Sequence, residues 1–376
     1  MKNFGIIFFL FSIVLSAEEI KLNILGKYHL REFEIKIEES ARIYSNEKDR
    51  TLEKGIYKVK IQNEELVFSK DKIFLQGKQI LIRSKEQFNI IFSDNESILK
   101  RTYKGELELH YEKDNILFIL KIPLEDYVIS ATYSELGILL NDKFATDNAR
   151  RELITTQEIV IRTYILNEKN RHIDPRFHFC DLTHCMSFKN YTNQFTLKPK
   201  IIIKGNSPIS GYFHSTCGGI LTGPEVFWQK HSVSHHYKRG NDGLKPNCKD
   251  SPQFTWETNL TNTELEMILN EKSIQSITPI EQDGRVKSLK YINEISSNKE
   301  IAISSFLSRT GKLLGWNKIR SNLFEVTKLQ NGYNFKGRGF GHGIGLCQWG
   351  AKYLADNGKS HEEILQFYFP ETVLEE

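Results

Sequence analysis

Residues 115–136 read NILFILKIPLEDYVISATYSEL, and the two halves of this stretch obey different rules. The first half is a run of Ile, Leu and Phe that suits a buried strand, expected over 116–122. Pro123 then fits the first turn of a helix, where its missing N–H costs nothing. On that helix Leu124, Val128, Ala131 and Glu135 fall on one face, an apolar stripe that ends in a carboxylate. Glu125 and Asp126 point elsewhere, and Gly137 reads as the helix stop. A carboxylate closing such a stripe is either a helix-end residue in solvent or a partly desolvated acid whose proton is held more tightly.

Upstream the texture is short and alternating: YKVKIQ, ELVFS, KIFLQG, QILIRS and FNIIFS, separated by Asn, Asp, Gly and Lys. Period-two runs of this kind predict strands and hairpins, hence a small β-rich domain over 18–115 that serves as a scaffold or contact module. Residues 1–17 pair Lys2 with an apolar run of about twelve residues, too short to cross a bilayer. They read as a secretory signal cleaved after Ala17, with an uncleaved anchor as the rival. The chain of 376 residues carries 51 Lys and Arg against 47 Asp and Glu, a net +4 that becomes +3 without Lys2. Such a mild, evenly spread charge excludes a nucleic-acid platform. No second long apolar stretch follows, so the mature protein is expected to be soluble outside the cytoplasm.

Downstream, helix and strand patterns mix over 116–376, which makes the fold class α+β: a small N-terminal β domain, then a mixed domain with a cleft. NARRELITTQEIVIRTYIL predicts a helix capped by Asp147 or Asn148, with Leu153, Gln157, Val160 and Tyr164 on one face. Gln157 and Arg162 are odd there, as plain surface residues or as the lining of a cleft beneath Glu135. RHIDPRFHFCDLTHCMSF has loop composition and sets Cys180 and Cys185 among His172, His178 and His184. Short Cys/His spacings deliver zinc ligands from one loop, and a local disulfide is the alternative. In GYFHSTCGG the pair His214-Ser215 suggests a hydrolase nucleophile, but adjacent strand residues face opposite ways, so His214 is not placed to activate Ser215. Cys217 and Cys248 read as disulfide partners, with Cys347 the leftover thiol.

Residues 337–351, GRGFGHGIGLCQWGA, put glycine at five successive odd positions. The register fits neither a dinucleotide-binding loop nor a P-loop. The next helix carries Ala351, Leu354 and Ala355 inward and stops at Gly358. Ser360-His361-Glu362-Glu363 is a capping box that opens a last helix ending before Pro370.

Taken together, PLEDYVISATYSEL, ELITTQEIVIRTYIL, GNSPISGYFHSTCGG, SPQFTW and GRGFGHGIGLCQWGAKYLADNG resemble, in order and spacing over about 116–372, the stage II sporulation protein D family, which includes enhancers of cell-wall amidases. The resemblance implies a peptidoglycan lytic transglycosylase with one glutamate as acid and base, here Glu135; the family's following Met-Pro is replaced by Leu136-Gly137. The candidate substrate-binding set is Gln157, Arg162, Tyr164, His214, Ser215, Thr216, Arg338, His342, Gln348 and Trp349. Within that set His342 is expected to project from a glycine floor, and Gln348 and Trp349 to offer a hydrogen bond and a stacking face to a sugar; a tightly packed strand-to-helix corner around a satisfied core histidine is the alternative. The resemblance also implies a structural zinc on Cys180, Cys185 and a histidine, His178 being the expected one, and supports the Cys217–Cys248 disulfide. The implied partners are glycan strands and a cell-wall amidase, with no nucleic acid and no stable membrane span, in the periplasm or envelope. A non-catalytic peptidoglycan-binding protein that stimulates an amidase is the alternative. A zinc amidase fits less well, because two thiolates and a histidine make a closed site.

Overall fold

A computed structural model describes residues 18–46, 48–95, 97–169, 171–181, 185–189, 199–229, 236–293 and 298–376. The expected signal segment and His184 lie outside them. The fold mixes helix and strand, with one large sheet. Two compact units are formed, one from Met1–Ser134 with Lys169–Asn193, the other from Glu135–Glu168 with Gln194–Glu376.

The first unit is built on β1 (Glu19–Ile24), β2 (Glu32–Ile37), β3 (Ala41–Ser45), β4 (Lys48–Leu52), β5 (Gly55–Gln62) and β6 (Glu65–Lys70). It continues through β7 (Lys72–Gly77), β8 (Gln79–Asp94), β9 (Ser97–Glu112), β10 (Asn115–Pro123) and the short β11 (Phe179–Cys180). These strands share a sheet in the order β11-β1-β10-β9-β8-β2-β5-β6-β7, with β3 and β4 branching from β8. QILIRS and FNIIFS, read as two runs, belong to the single long strand β8. Its register against β9 shifts between Ser84 and Phe88. The first half of β8 pairs with β3 and the second with β2, so the bulge lets one strand serve two neighbours. The domain boundary expected at residue 115 falls between β9 and β10, which are paired strands of this sheet.

Helix α1 (Leu124–Leu140) follows β10 directly. Pro123 is the last residue of the strand, one place ahead of the helix. Gly137 keeps a negative φ and does not stop the helix, which runs on to Leu140. The division between units falls inside α1, after Ser134. In the second unit α2 (Asp147–Glu168) is the central helix. Thr146 caps it, accepting from the Ala149 N–H at 3.0 Å, one residue earlier than expected. From Thr156 to Ile165 every residue of α2 is buried, so the helix is covered on all sides rather than along one stripe.

Around α2 the chain makes β12 (Ile201–Lys204), β13 (Ser207–Pro208), β14 (Phe213–His214), β15 (Ile220–Leu221), α3 (Pro224–Trp228) and β16 (Gly240–Asn241). A second layer holds β17 (Thr255–Thr261), α4 (Asn262–Leu269), β18 (Ser276–Gln282), β19 (Arg285–Ile292), β20 (Asn298–Ala302) and α5 (Ile303–Leu314). Then come β21 (Phe324–Leu329), β22 (Gly332–Arg338), β23 (Leu346–Cys347), α6 (Gln348–Asp356), α7 (His361–Tyr368) and β24 (Val373–Glu375). The sheets β17-β22-β21 and β18-β19-β20 enclose an apolar core with Trp256, Leu289, Phe306 and Phe335, in contact with α4 and α5. The last strand, β24, returns to pair with β12. The capping box of Ser360 and Glu363 at α7 forms as its sequence predicts.

Candidate functional site

The five alternating glycines lie in a corner that threads between two other stretches of the second unit. Phe213 and His214 pair in parallel with Leu346 and Cys347, Thr216 pairs with Phe340, and Thr222 pairs with Ile344. The alternation is required by the chain's own packing. A Cβ on Gly345, where φ is +67°, would lie 2.2 Å from the Tyr212 carbonyl oxygen. At Gly343 it would lie 2.4 Å from the guanidinium of Arg285. Arg285 is fully buried and was not visible in the sequence. Its guanidinium donates to Asn322 Oδ1 at 2.9 Å and to the carbonyls of Cys217 at 2.8 Å, Ile220 at 2.6 Å and Gly341 at 3.3 Å. One side chain therefore fastens three loops.

His342 is half-buried in this corner. Its Nδ1 accepts from the Ile344 N–H at 3.1 Å, and the Phe213 carbonyl engages the ring from the other side. Four rings surround it: Tyr212, His214, Phe227 and Trp228, with centroids 5.1 to 6.2 Å away. Desolvation, then the nearby Arg285 charge, push its pKa down to about 3. His214 is lowered too, chiefly by burial and next by His342. Its Nδ1 faces the Ile344 carbonyl at 3.1 Å, while Nε2 is buried with no hydrogen-bond partner among the described residues.

A prediction follows from the sign of the His342 shift. The folded state excludes a proton that the unfolded chain binds below about pH 6.5. The stabilisation is whole above that value and shrinks as the pH falls toward about 3. His342→Gln should therefore cost less stability at pH 5 than at pH 7.5, by about 2 kcal/mol, in urea melts. An equal cost at both values would show that the ring accepts a proton in the fold.

The other expected residues divide into buried and accessible sets. Gln157 is fully buried, and its Oε1 accepts from Gln348 Nε2 at 3.4 Å, joining α2 to the start of α6. Arg162 is buried and donates to the Lys200 carbonyl at 3.2 Å. The Tyr164 ring is buried 6.2 Å from Tyr212. These three lie beneath the surface, since α2 is enclosed. Thr216 Oγ1 bonds to Ser251 Oγ at 2.7 Å, and Ser215 turns its carbonyl to the Trp349 N–H at 3.1 Å. Ser215 Oγ neighbours Thr216 Oγ1 at 3.3 Å. Arg338 is exposed and paired through its backbone with Thr255. Trp349 is half-buried, and Trp228, which sequence reading passed over, is 36% exposed beside Tyr212 at a ring distance of 4.7 Å.

Glu135 sits in the last turns of α1, half-buried, one residue before the fully buried Leu136. Beyond it the loop that ends α1 is tied to α6. Lys352 Nζ lies 3.3 Å from Asp142 and 2.7 Å from Asp356, and Asp356 Oδ1 accepts from the Ala145 N–H at 2.9 Å. Gln348 and Trp349 open that same helix.

The cysteines form two groups with nitrogen or oxygen donors. In the first unit Cys180 Sγ and Cys185 Sγ are 3.5 Å apart, and His172 Nε2 lies 3.1 Å from Cys185 Sγ. His178, expected as the ligand, accepts from the Lys21 N–H at 3.2 Å instead. Its pairing with β1 holds it there, while His172 folds back over the thiols. Two soft sulfurs and an imidazole at these spacings fit zinc. In the second unit Cys217 Sγ is 3.4 Å from Cys248 Sγ, well beyond the S–S bond of about 2.05 Å, so the expected disulfide is not formed. Cys347, expected as the leftover thiol, lies beside the pair.

No family model matches the chain. An uncharacterized protein of Brachyspira hyodysenteriae is 25% identical over 287 residues, 71% of this chain and 70% of that protein. The stage II sporulation protein D of Bacillus subtilis is 24% identical over 280 residues, 68% of this chain and 75% of its own. An amidase enhancer of Bacillus subtilis is 39% identical over 77 residues, 20% of this chain and 11% of that protein.

Proposed function

The chain belongs to the stage II sporulation protein D family, and from that premise we propose that it is a peptidoglycan lytic transglycosylase of the cell envelope, with Glu135 as its single acid and base. The observation that carries this reading is the placement of Glu135. It is a half-buried carboxylate on a helix whose neighbours Val128, Ala131, Leu136 and Leu139 are at most 5% exposed.

The chemistry needs one group used twice. Glu135 gives its proton to the oxygen that links N-acetylmuramic acid C1 to N-acetylglucosamine, and the C1–O bond breaks. The muramyl C6 hydroxyl oxygen then bonds to C1, and its proton passes to the Glu135 carboxylate. The product is a 1,6-anhydro end, no water is consumed, and the enzyme returns to its starting state. Most glycosidases place a second carboxylate across the bond for this second half. An internal hydroxyl removes that need. The tie between Asp142 and Lys352 supports the reading, since it fastens the loop after α1 to α6, the helix that begins with Gln348 and Trp349. Trp228 and Trp349 offer aromatic faces for sugar rings. Gln157, Arg162 and Tyr164 support that surface from beneath. His172, Cys180 and Cys185 would hold a zinc ion that supplies structure to the loop after α2 rather than chemistry.

The test is mass analysis of products released from purified peptidoglycan. Anhydromuropeptides or anhydro-glycans are expected. The partial match to an amidase enhancer favours a second reading, a wall-binding protein that accelerates an amidase. That protein would bind peptidoglycan, release no anhydro product alone, and raise amidase turnover when mixed with the enzyme.

A further inference from the structure

We propose that Cys217, Asp242, Cys248 and Cys347 form a closed tetrahedral site for a zinc ion in the second unit, separate from the group around His172 and playing no part in glycan cleavage. The ligand atoms of all four lie within 4.8 Å of one another, and all four residues are buried. They come from four separate stretches: the bend after β14, the loop after β16, the turn before β17, and the end of the glycine corner.

The spacings suit a metal better than a disulfide. With zinc–sulfur bonds of about 2.3 Å, tetrahedral angles put two sulfurs about 3.8 Å apart, and a sulfur and a carboxylate oxygen about 3.5 Å apart. The observed Cys217–Cys248 distance is 3.4 Å, and Cys217 Sγ to Asp242 Oδ2 is 3.2 Å. Asp242 is oriented as a monodentate ligand. Oδ2 faces the sulfurs while Oδ1 accepts from the Tyr368 hydroxyl at 3.3 Å and from Asn247 Nδ2 at 3.4 Å, the outer contacts that fix a ligating carboxylate. Backbone amides also point at sulfur. The Cys217 N–H donates to Cys347 Sγ at 3.2 Å, and the Gly219 N–H to Cys217 Sγ at 3.3 Å. Such N–H groups are outer contacts that a ligating sulfur can accept.

Charge points the same way. Three thiolates and a carboxylate would carry four negative charges in a buried space. A divalent cation halves that burden, and Arg285, bonded to the Cys217 carbonyl, offsets one more. A site closed by four protein ligands leaves no open position for a substrate, which makes its role structural. It would pin the glycine corner to the loop that carries Asp242.

The experiment uses the full chain with Cys180→Ser and Cys185→Ser, so that the group around His172 cannot report. Purified without chelator, it is expected to hold about one zinc per chain by elemental analysis. Adding Cys347→Ser should cut that at least tenfold. Cobalt exchanged into the double variant should give intense thiolate-to-cobalt charge transfer, a readout that needs no further mutation. Stripping the metal should lower the melting temperature by roughly 10 °C or more. A zinc-free chain whose alkylated mass reveals a Cys217–Cys248 disulfide would overturn the proposal. So would a zinc-free chain with three titratable thiols in this group and no response to chelator.

Discussion

Glu135→Gln is expected to reduce release of anhydro products from purified peptidoglycan by between about 10² and 10⁴-fold, the range that one positioned acid or base supplies. Glutamine keeps the shape of the side chain but has no acidic proton to give the leaving oxygen, and its amide cannot take one from the C6 hydroxyl. On the proposed mechanism both halves of the reaction would fail together. Because the residue is half-buried near the end of α1, the swap should leave the melting temperature within a few degrees of the parent and leave wall binding intact. Aspartate in its place shortens the reach by one methylene and should recover only part of the rate. Cleavage by the glutamine variant at the parental rate would take the catalytic role away from this residue.

Arg285→Met should be the most disruptive single change in the second unit, costing about 3–5 kcal/mol in chemical denaturation. Methionine fills part of the same volume but donates no hydrogen bonds. The carbonyls of Cys217, Ile220 and Gly341 would lose their donor in the interior, each an unsatisfied group worth about 1–3 kcal/mol. Desolvation lowers the arginine pKa to about 10, so the group remains charged at neutral pH and the cation is part of what is lost. Lysine should rescue poorly, because one ammonium cannot reach three loops in the geometry of the fork. A loss below about 1 kcal/mol would mean that the corner is held by its glycine packing alone.

The α+β character, the strand-to-helix switch at Pro123 and the last two helices were legible in the sequence, because each rests on local periodicity or on a capping pattern. The ends of α1 and α2 were less so. Gly137 has the right identity for a stop, but no left-handed turn follows it, and Thr146 outcompetes Asp147 for the cap. Long-range partners were hidden. Arg285, Asp242 and the placement of Cys347 depend on how distant loops meet, and nothing in their neighbours along the chain signals it. His172 and His178 are both plausible ligands by spacing; only the pairing of 179–180 with β1 separates them. The same holds for the alternating glycines, which answer to Tyr212, Thr216 and Arg285.

The pairing of Ile201–Ile203 with Val373–Glu375 has a consequence for biogenesis. Helix α2, sheathed by α6 and α7, cannot be fully covered until residues 348–368 have been synthesised. Until that stretch has been made, this region of the chain stays open. Closure then links residues 170 to 174 positions apart, a slow step by loop-closure entropy. Loss of the terminal strand should leave a chain that begins to fold and cannot finish.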